Sequence, residues 1–186
     1  NRTLSKAEQR RDAFYPDAWL TQDPHHIFAD PAINVVDITP HPKDRIPLIE
    51  AALNAGKHVL SQKPFVLDLE VGERLVALAR GKSLKLAVNQ NGRWAPHLAW
   101  MREAVRGGLI GDLIGCHTSI HWDHRWIAGT PFEKIEDVLL YDFAIHWFDF
   151  LSSVAPGRVK SVYATATQVP GAAVPLAAQV SAELDV

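Results

Sequence analysis

Asp142, His146 and Asp149 stand at positions i, i+4 and i+7 of the stretch LLYDFAIHWFDF. In a helix that spacing places all three on one stripe. Leu, Phe, Ile and Trp surround them, and a helix apolar nearly all round belongs in a core. Ionisable groups are costly there unless they pair or line a cavity. An imidazole titrates near neutrality, and a carboxylate one turn away can fix its tautomer and stabilise its cation. Asp142 and His146 therefore read as a proton-transfer pair. The alternative is a structural Asp142–His146 pair, with Asp149 capping a nearby backbone.

Lys63 is the second candidate. In HVLSQKPF (58–65) it closes a short apolar run, and Pro64 biases it toward extended geometry, so its direction is held. Taken alone, Lys-Pro reads better as a surface lysine before a turn proline, because such pairs are common. The third cluster is HWDHRW, with His121, Asp123, His124 and Trp126 and with His117 upstream. On a strand, positions 117, 121 and 123 share a face while 121 and 124 do not. That pattern, without cysteine ligands or a familiar zinc spacing, points to solvent-facing or substrate-facing polar groups rather than a metal site.

The elements that must position these groups come in a regular order. A capping box of Ser5 and Glu8 opens a helix that Pro16 ends. Asp23 and Pro24 start a short second helix. A strand is predicted over 33–39, a helix over 43–56 stopped by Gly56, and a strand over 58–62. Asp68 caps a further helix that ends at Gly81, and 84–90 is a third strand. This βαβαβ order implies a parallel sheet covered by helices. Ligands of such sheets bind beyond the strands' carboxyl ends. Those ends carry Thr39-Pro40-His41, Gln62-Lys63-Pro64 and Asn89-Gln90-Asn91. Beyond Trp94 the pattern changes. A helix from Pro96 to the Gly107-Gly108 pair precedes a strand over 112–124, the apolar helix of the first paragraph, and strands over 158–169 and 176–186. The fold class is therefore α/β: a partial Rossmann-type parallel sheet (1–94), then an α+β domain with a mostly antiparallel open sheet (95–186).

The stretches DITP, AALNAGKHVLSQKP, NGRWAP, AVRGGLIGDLIG and DFAIHWFD follow one another as in the Gfo/Idh/MocA oxidoreductases, which the chain resembles from about residue 24 to 151. The resemblance implies NAD or NADP as cofactor and hydride transfer to or from a CH–OH carbon of a sugar, cyclitol or related polyol. It casts Lys63, Asp142 and His146 as catalytic, with the ammonium and the imidazole meeting in a shared cleft. His121, Asp123 and Trp126 would join them around the substrate. Thr39, Pro40, His41, Gln62, Lys63, Asn91, Arg93 and Trp94 would lie along the cofactor. Redox-neutral relatives that run lyase, hydrolase or epimerase chemistry, and a non-catalytic sensor that kept the fold, are the other readings.

Gln62 departs from the family's Glu, His41 and Asp44 replace its Asn and His, and Asp37 interrupts a strand that is apolar in the family. No G-x-G-x-x-G is present; GGLIGDLIG has the wrong spacing and context. The expectation is a sequence incomplete at both ends, with Asn1 and Arg2 near the adenosine ribose and Arg2 reading a 2′-phosphate. Nineteen basic against 21 acidic residues leave a net charge of −2, which attracts neither nucleic acid nor an anionic membrane. No apolar run approaches the ~20 residues of a membrane helix. A lone Cys116 rules out a disulfide within the chain and fits a reducing, cytoplasmic setting. The resemblance adds a homo-oligomer formed through the second-domain sheet.

Overall fold

The computed structural model describes residues 3–155 and 157–185. Asn1 and Arg2, expected beside the ribose, lie outside the described residues. The chain divides into two compact units between Asn89 and Gln90.

In the first unit, α1 (Leu4–Phe14) starts at Thr3 rather than at a Ser5 capping box. The Thr3 carbonyl accepts the first helical bond, from Ala7, so Ser5 already lies inside the first turn. Asp23 caps α2 (Pro24–Ala29) through the His25 N–H, as its sequence implies. Strands β1 (Val35–Ile38), β2 (His58–Gln62) and β3 (Leu86–Asn89) form a parallel sheet in that order, with Ile38 opposite Ser61 and Gln62 opposite Asn89. Helices α3 (Pro42–Asn54) and α4 (Leu69–Gly81) make the crossovers. Gly56, at φ 78°, releases the chain from α3 into β2. After α4 the left-handed position falls on Ser83, at φ 57°, and not on Gly81.

Successive right-handed crossovers between neighbouring strands put both helices on one face. Burial follows that rule. Val36, Ile38 and Val59 pack with Ile49, Ala52, Leu53 and Leu75, whereas Val35 and Asp37 face outward. The sheet is thus covered on one face within this unit, not on both, which explains how β1 tolerates Asp37.

In the second unit, α5 (Pro96–Arg106) and α6 (Ile145–Val154) pack through Leu98, Phe150 and Val154. A separate core gathers Ile127, Val138 and Val174. Strands β4 (Arg158–Thr167) and β5 (Ala177–Asp185) pair antiparallel, and every β4 residue is exposed. The strand predicted over 112–124 does not form. The segment pairs with no strand among the described residues, and Ile114 and Trp122 are exposed. Alternating residues favour a strand only where a neighbour completes the ladder. Among the described residues, no helix is long and apolar enough to cross a membrane.

Candidate active site

The first unit presents Lys63 through its backbone. The carboxyl ends of β1, β2 and β3 lie side by side, so Thr39-Pro40-His41 and Gln62-Lys63 share a rim with Asn89. His41 is the N-cap residue of α3. The Lys63–Pro64 peptide bond is cis. The Lys63 N–H donates to Oε1 of Gln62 at 2.8 Å, and Nη2 of Arg45 donates to the Lys63 carbonyl at 3.3 Å. Arg45 is only 1% exposed. Both backbone polar groups of Lys63 are therefore held, and the half-buried side chain starts from a defined point. Gln62, the departure from the family's glutamate, spends its amide oxygen on that task.

The second unit presents Asp142 and His146 differently. Residues Leu139–Phe143 form a π-helical turn, closed by the Ala144 N–H to the Leu139 carbonyl at 2.7 Å, before α6 begins at Ile145. The single α-helical stripe expected for 142, 146 and 149 is therefore broken at its first member. The wider turn changes the angle between Asp142 and the residues that follow. Such turns recur at functional sites. Asp142 is 6% exposed, while His146 and its neighbours are half-buried rather than enclosed. The His146 ring lies against Gly92; a Cβ on Gly92 would stand 3.1 Å from Nδ1 and 3.5 Å from Cγ.

Asp149 takes a partner that sequence reading missed. Nε of Arg93 donates to its Oδ2 at 2.6 Å, and Nη2 donates to Oδ1. These hydrogen bonds hold the Arg93 guanidinium above its usual pKa, against the cost of burial. Nη1 of Arg102 donates to the Arg93 carbonyl at 3.1 Å, and its guanidinium sits 5.1 Å from the Trp94 ring centroid. Asn91, Arg93 and Trp94 thus belong to one short turn, 91–94, pinned from α5 and α6. No local signal joins positions 93 and 149, since they lie far apart in the chain.

The HWDHRW cluster is brought together only in part. The single N–H on Nε of Arg125 is shared between both Asp123 oxygens at 3.0 Å, Nη2 donates at 2.7 Å and the Arg125 backbone N–H at 2.9 Å, and together they pull the carboxyl down to about 2. His121 shares a 2.9 Å hydrogen bond with Ser119. Trp122 and Trp126 are neighbours, ring centroids 6.4 Å apart, and each lies about 6 Å from Phe143, the residue after Asp142. Two partly exposed indoles therefore stand beside the turn that carries Asp142. Among the described residues, no three His, Cys, Asp or Glu side chains are grouped to hold a metal ion.

A parallel sheet with helical crossovers, followed by a separate unit with an antiparallel sheet, is the architecture of a Rossmann-type oxidoreductase. Residues 1–90 match the family model described as oxidoreductase family, NAD-binding Rossmann fold, and residues 98–185 match the GFO/IDH/MocA C-terminal domain. The chain belongs to this family.

It is 32% identical over 154 residues to the uncharacterized oxidoreductase YdgJ of Escherichia coli strain K12, covering 78% of this chain and 42% of that protein. It is also 32% identical over 149 residues to the scyllo-inositol 2-dehydrogenase (NADP(+)) IolW of Bacillus subtilis strain 168, covering 79% and 41%. The chain thus spans about two-fifths of the length of these relatives. A crystal structure of an oxidoreductase from Agrobacterium radiobacter, in complex with NAD+, L-tartaric acid and magnesium, shares the fold. Its TM-score is 0.83 at 20% identity, over 98% of this chain and 53% of that one.

Proposed function

We propose that the whole protein transfers a hydride between a nicotinamide cofactor, NAD or NADP, and a CH–OH carbon of a sugar, cyclitol or related polyol. The observation that carries this reading is a nearly buried carboxylate, Asp142, on a π-helical turn directly ahead of His146. The match of both halves to a dehydrogenase family supports it.

The residues present fit a nicotinamide nucleotide. Hydroxyl, carboxamide and ammonium groups of Thr39, Gln62, Lys63 and Asn91 follow strand carboxyl ends, where ribose hydroxyls and a carboxamide need partners. The buried Oε1 of Gln90, just past β3, has no hydrogen-bond partner among the described residues and is an acceptor suited to an amide N–H. Pro40, His41, Arg93 and Trp94 complete the set. When bound, the nicotinamide supplies the hydride acceptor at C4.

The protein's own groups manage the proton and the charge. His146 takes the hydroxyl proton as the C–H hydride leaves. Asp142 orients the imidazole and balances the cation. Lys63 stabilises the alkoxide that develops on the same oxygen. His121, Asp123 and Trp126 supply polar contacts and an indole face to the substrate. Residues 1–94 serve the nucleotide and 95–186 the substrate and self-association, for which the exposed β4 offers a surface. The net charge of −2 and the lone Cys116 suit a cytoplasmic enzyme without a nucleic-acid partner.

The test is His146→Ala in the whole protein, with a polyol panel read at the nicotinamide absorbance. Turnover should fall ~10²–10⁴-fold, the range of general acid–base catalysis, while cofactor affinity is unchanged. Normal turnover in that variant refutes the assignment.

A further inference from the structure

Asp149 has no step in this chemistry, yet it is among the most firmly engaged carboxylates of the second unit. Its side chain is 14% exposed, and Arg93 grips both of its oxygens; Nη2 of Arg93 also reaches the Asp149 carbonyl at 3.4 Å. A planar guanidinium meeting a carboxylate in this way fixes orientation as well as distance. Arg93 is one residue from Gly92, the backbone against which the His146 ring rests. Asp149 is three residues from His146 on α6. The pair therefore ties together the two surfaces between which the imidazole sits.

We infer that Arg93 and Asp149 are positioning residues for His146. Their ion pair seats the 91–94 turn on α6 so that the Gly92 backbone braces the imidazole, and it cancels two charges that would otherwise act on that ring. The inference rests on His146 being the proton acceptor. Two further contacts stiffen the brace without touching His146: the Arg102 hydrogen bond to the Arg93 carbonyl and its stacking on Trp94.

The two partners make opposite electrostatic demands when parted. Without Arg93, an uncompensated carboxylate one turn from the ring favours imidazolium. Without Asp149, an uncompensated guanidinium opposes it. The other charged groups on elements packed against α6 are Asp142 on the π turn and His97, Arg102, Glu103 and Arg106 on α5. They are common to both variants, so the difference between the two isolates the pair.

The experiment is the pH profile of kcat/KM for polyol oxidation in the whole protein, comparing wild type, Arg93→Met, Asp149→Asn and the double variant. Each single variant should lose at least 10-fold in kcat. The acid limb should move up by about 0.5 pH unit in Arg93→Met and down by a similar amount in Asp149→Asn. The double variant should return the limb to its wild-type position with kcat still low. If either single variant fails to fold, Arg93→Lys must lower kcat while leaving the limb in place. Limbs that move together or not at all, with only a lower Tm, overturn the inference. A limb that persists in His146→Ala instead removes the reading of His146 as base.

Discussion

The two units hold their candidate chemical groups by different means. Lys63 inherits its place from a sheet: three parallel strands, a packed face and hydrogen bonds to its own backbone N–H and carbonyl set where the side chain begins. His146 is placed by helices and a turn. Two small apolar clusters, a braced turn and an ion pair between distant residues set its place. Backbone ladders are shared among many residues, so no one side chain decides their geometry. A site built from side-chain contacts concentrates the decision in a few groups and is correspondingly easier to disturb.

Substitutions can break or sharpen that contrast. Lys63→Met removes the charge and leaves the backbone that carries it, so kcat should drop ~10²-fold with Tm nearly unchanged. A large fall in Tm would mean that the ammonium also supports the fold. Next in size is the contrast between the sheets. Val59 of β2 is 2% exposed and Val162 of β4 is 61% exposed. By chemical denaturation Val59→Ala should cost about 2 kcal/mol, while Val162→Ala should stay within about 0.5 kcal/mol. Equal costs would show that something covers β4 in the whole protein.

The smallest effect lies at Asp123. With Arg125 in place its carboxyl titrates at about 2, below the unfolded value. Its contribution is therefore present above the unfolded pKa and is lost as pH falls through about 2. Arg125→Met should raise the carboxyl toward the ordinary range in an NMR titration, the backbone N–H of residue 125 still donating to Oδ1, with little change in stability because the pair is exposed. A carboxyl that stays near 2 in Arg125→Met would show that the guanidinium is not what lowers it.

The same contrast governs what was legible from residues alone. In the first unit most signals are local and agree, the start of α1 and the residue after α4 excepted. Asp23 and Asp68 cap the helices they precede, β2 runs over the five residues its pattern marks, and Gly56 stops α3. In the second unit local signals mislead where partners decide. The alternation over 112–124 finds no neighbouring strand among the described residues. The π turn at 139–143 leaves no mark in an apolar sequence. The Arg93–Asp149 pair joins positions that nothing local connects. Residue types and spacing pointed to Asp142 and His146 as an ionisable pair in apolar surroundings, but the near-complete burial of Asp142 and the brace on His146 depend on contacts distant in the chain.

The π turn ahead of α6 makes residue count, not residue identity, an adjustable quantity. A helix carrying one residue more or fewer is rotated by about 100° beyond that point. Removing one residue from 139–143 would therefore rotate the residues ahead of the turn relative to α6 while every ionisable group survived. The number of residues in this short stretch, and not only their types, therefore sets how the groups ahead of α6 face those on it.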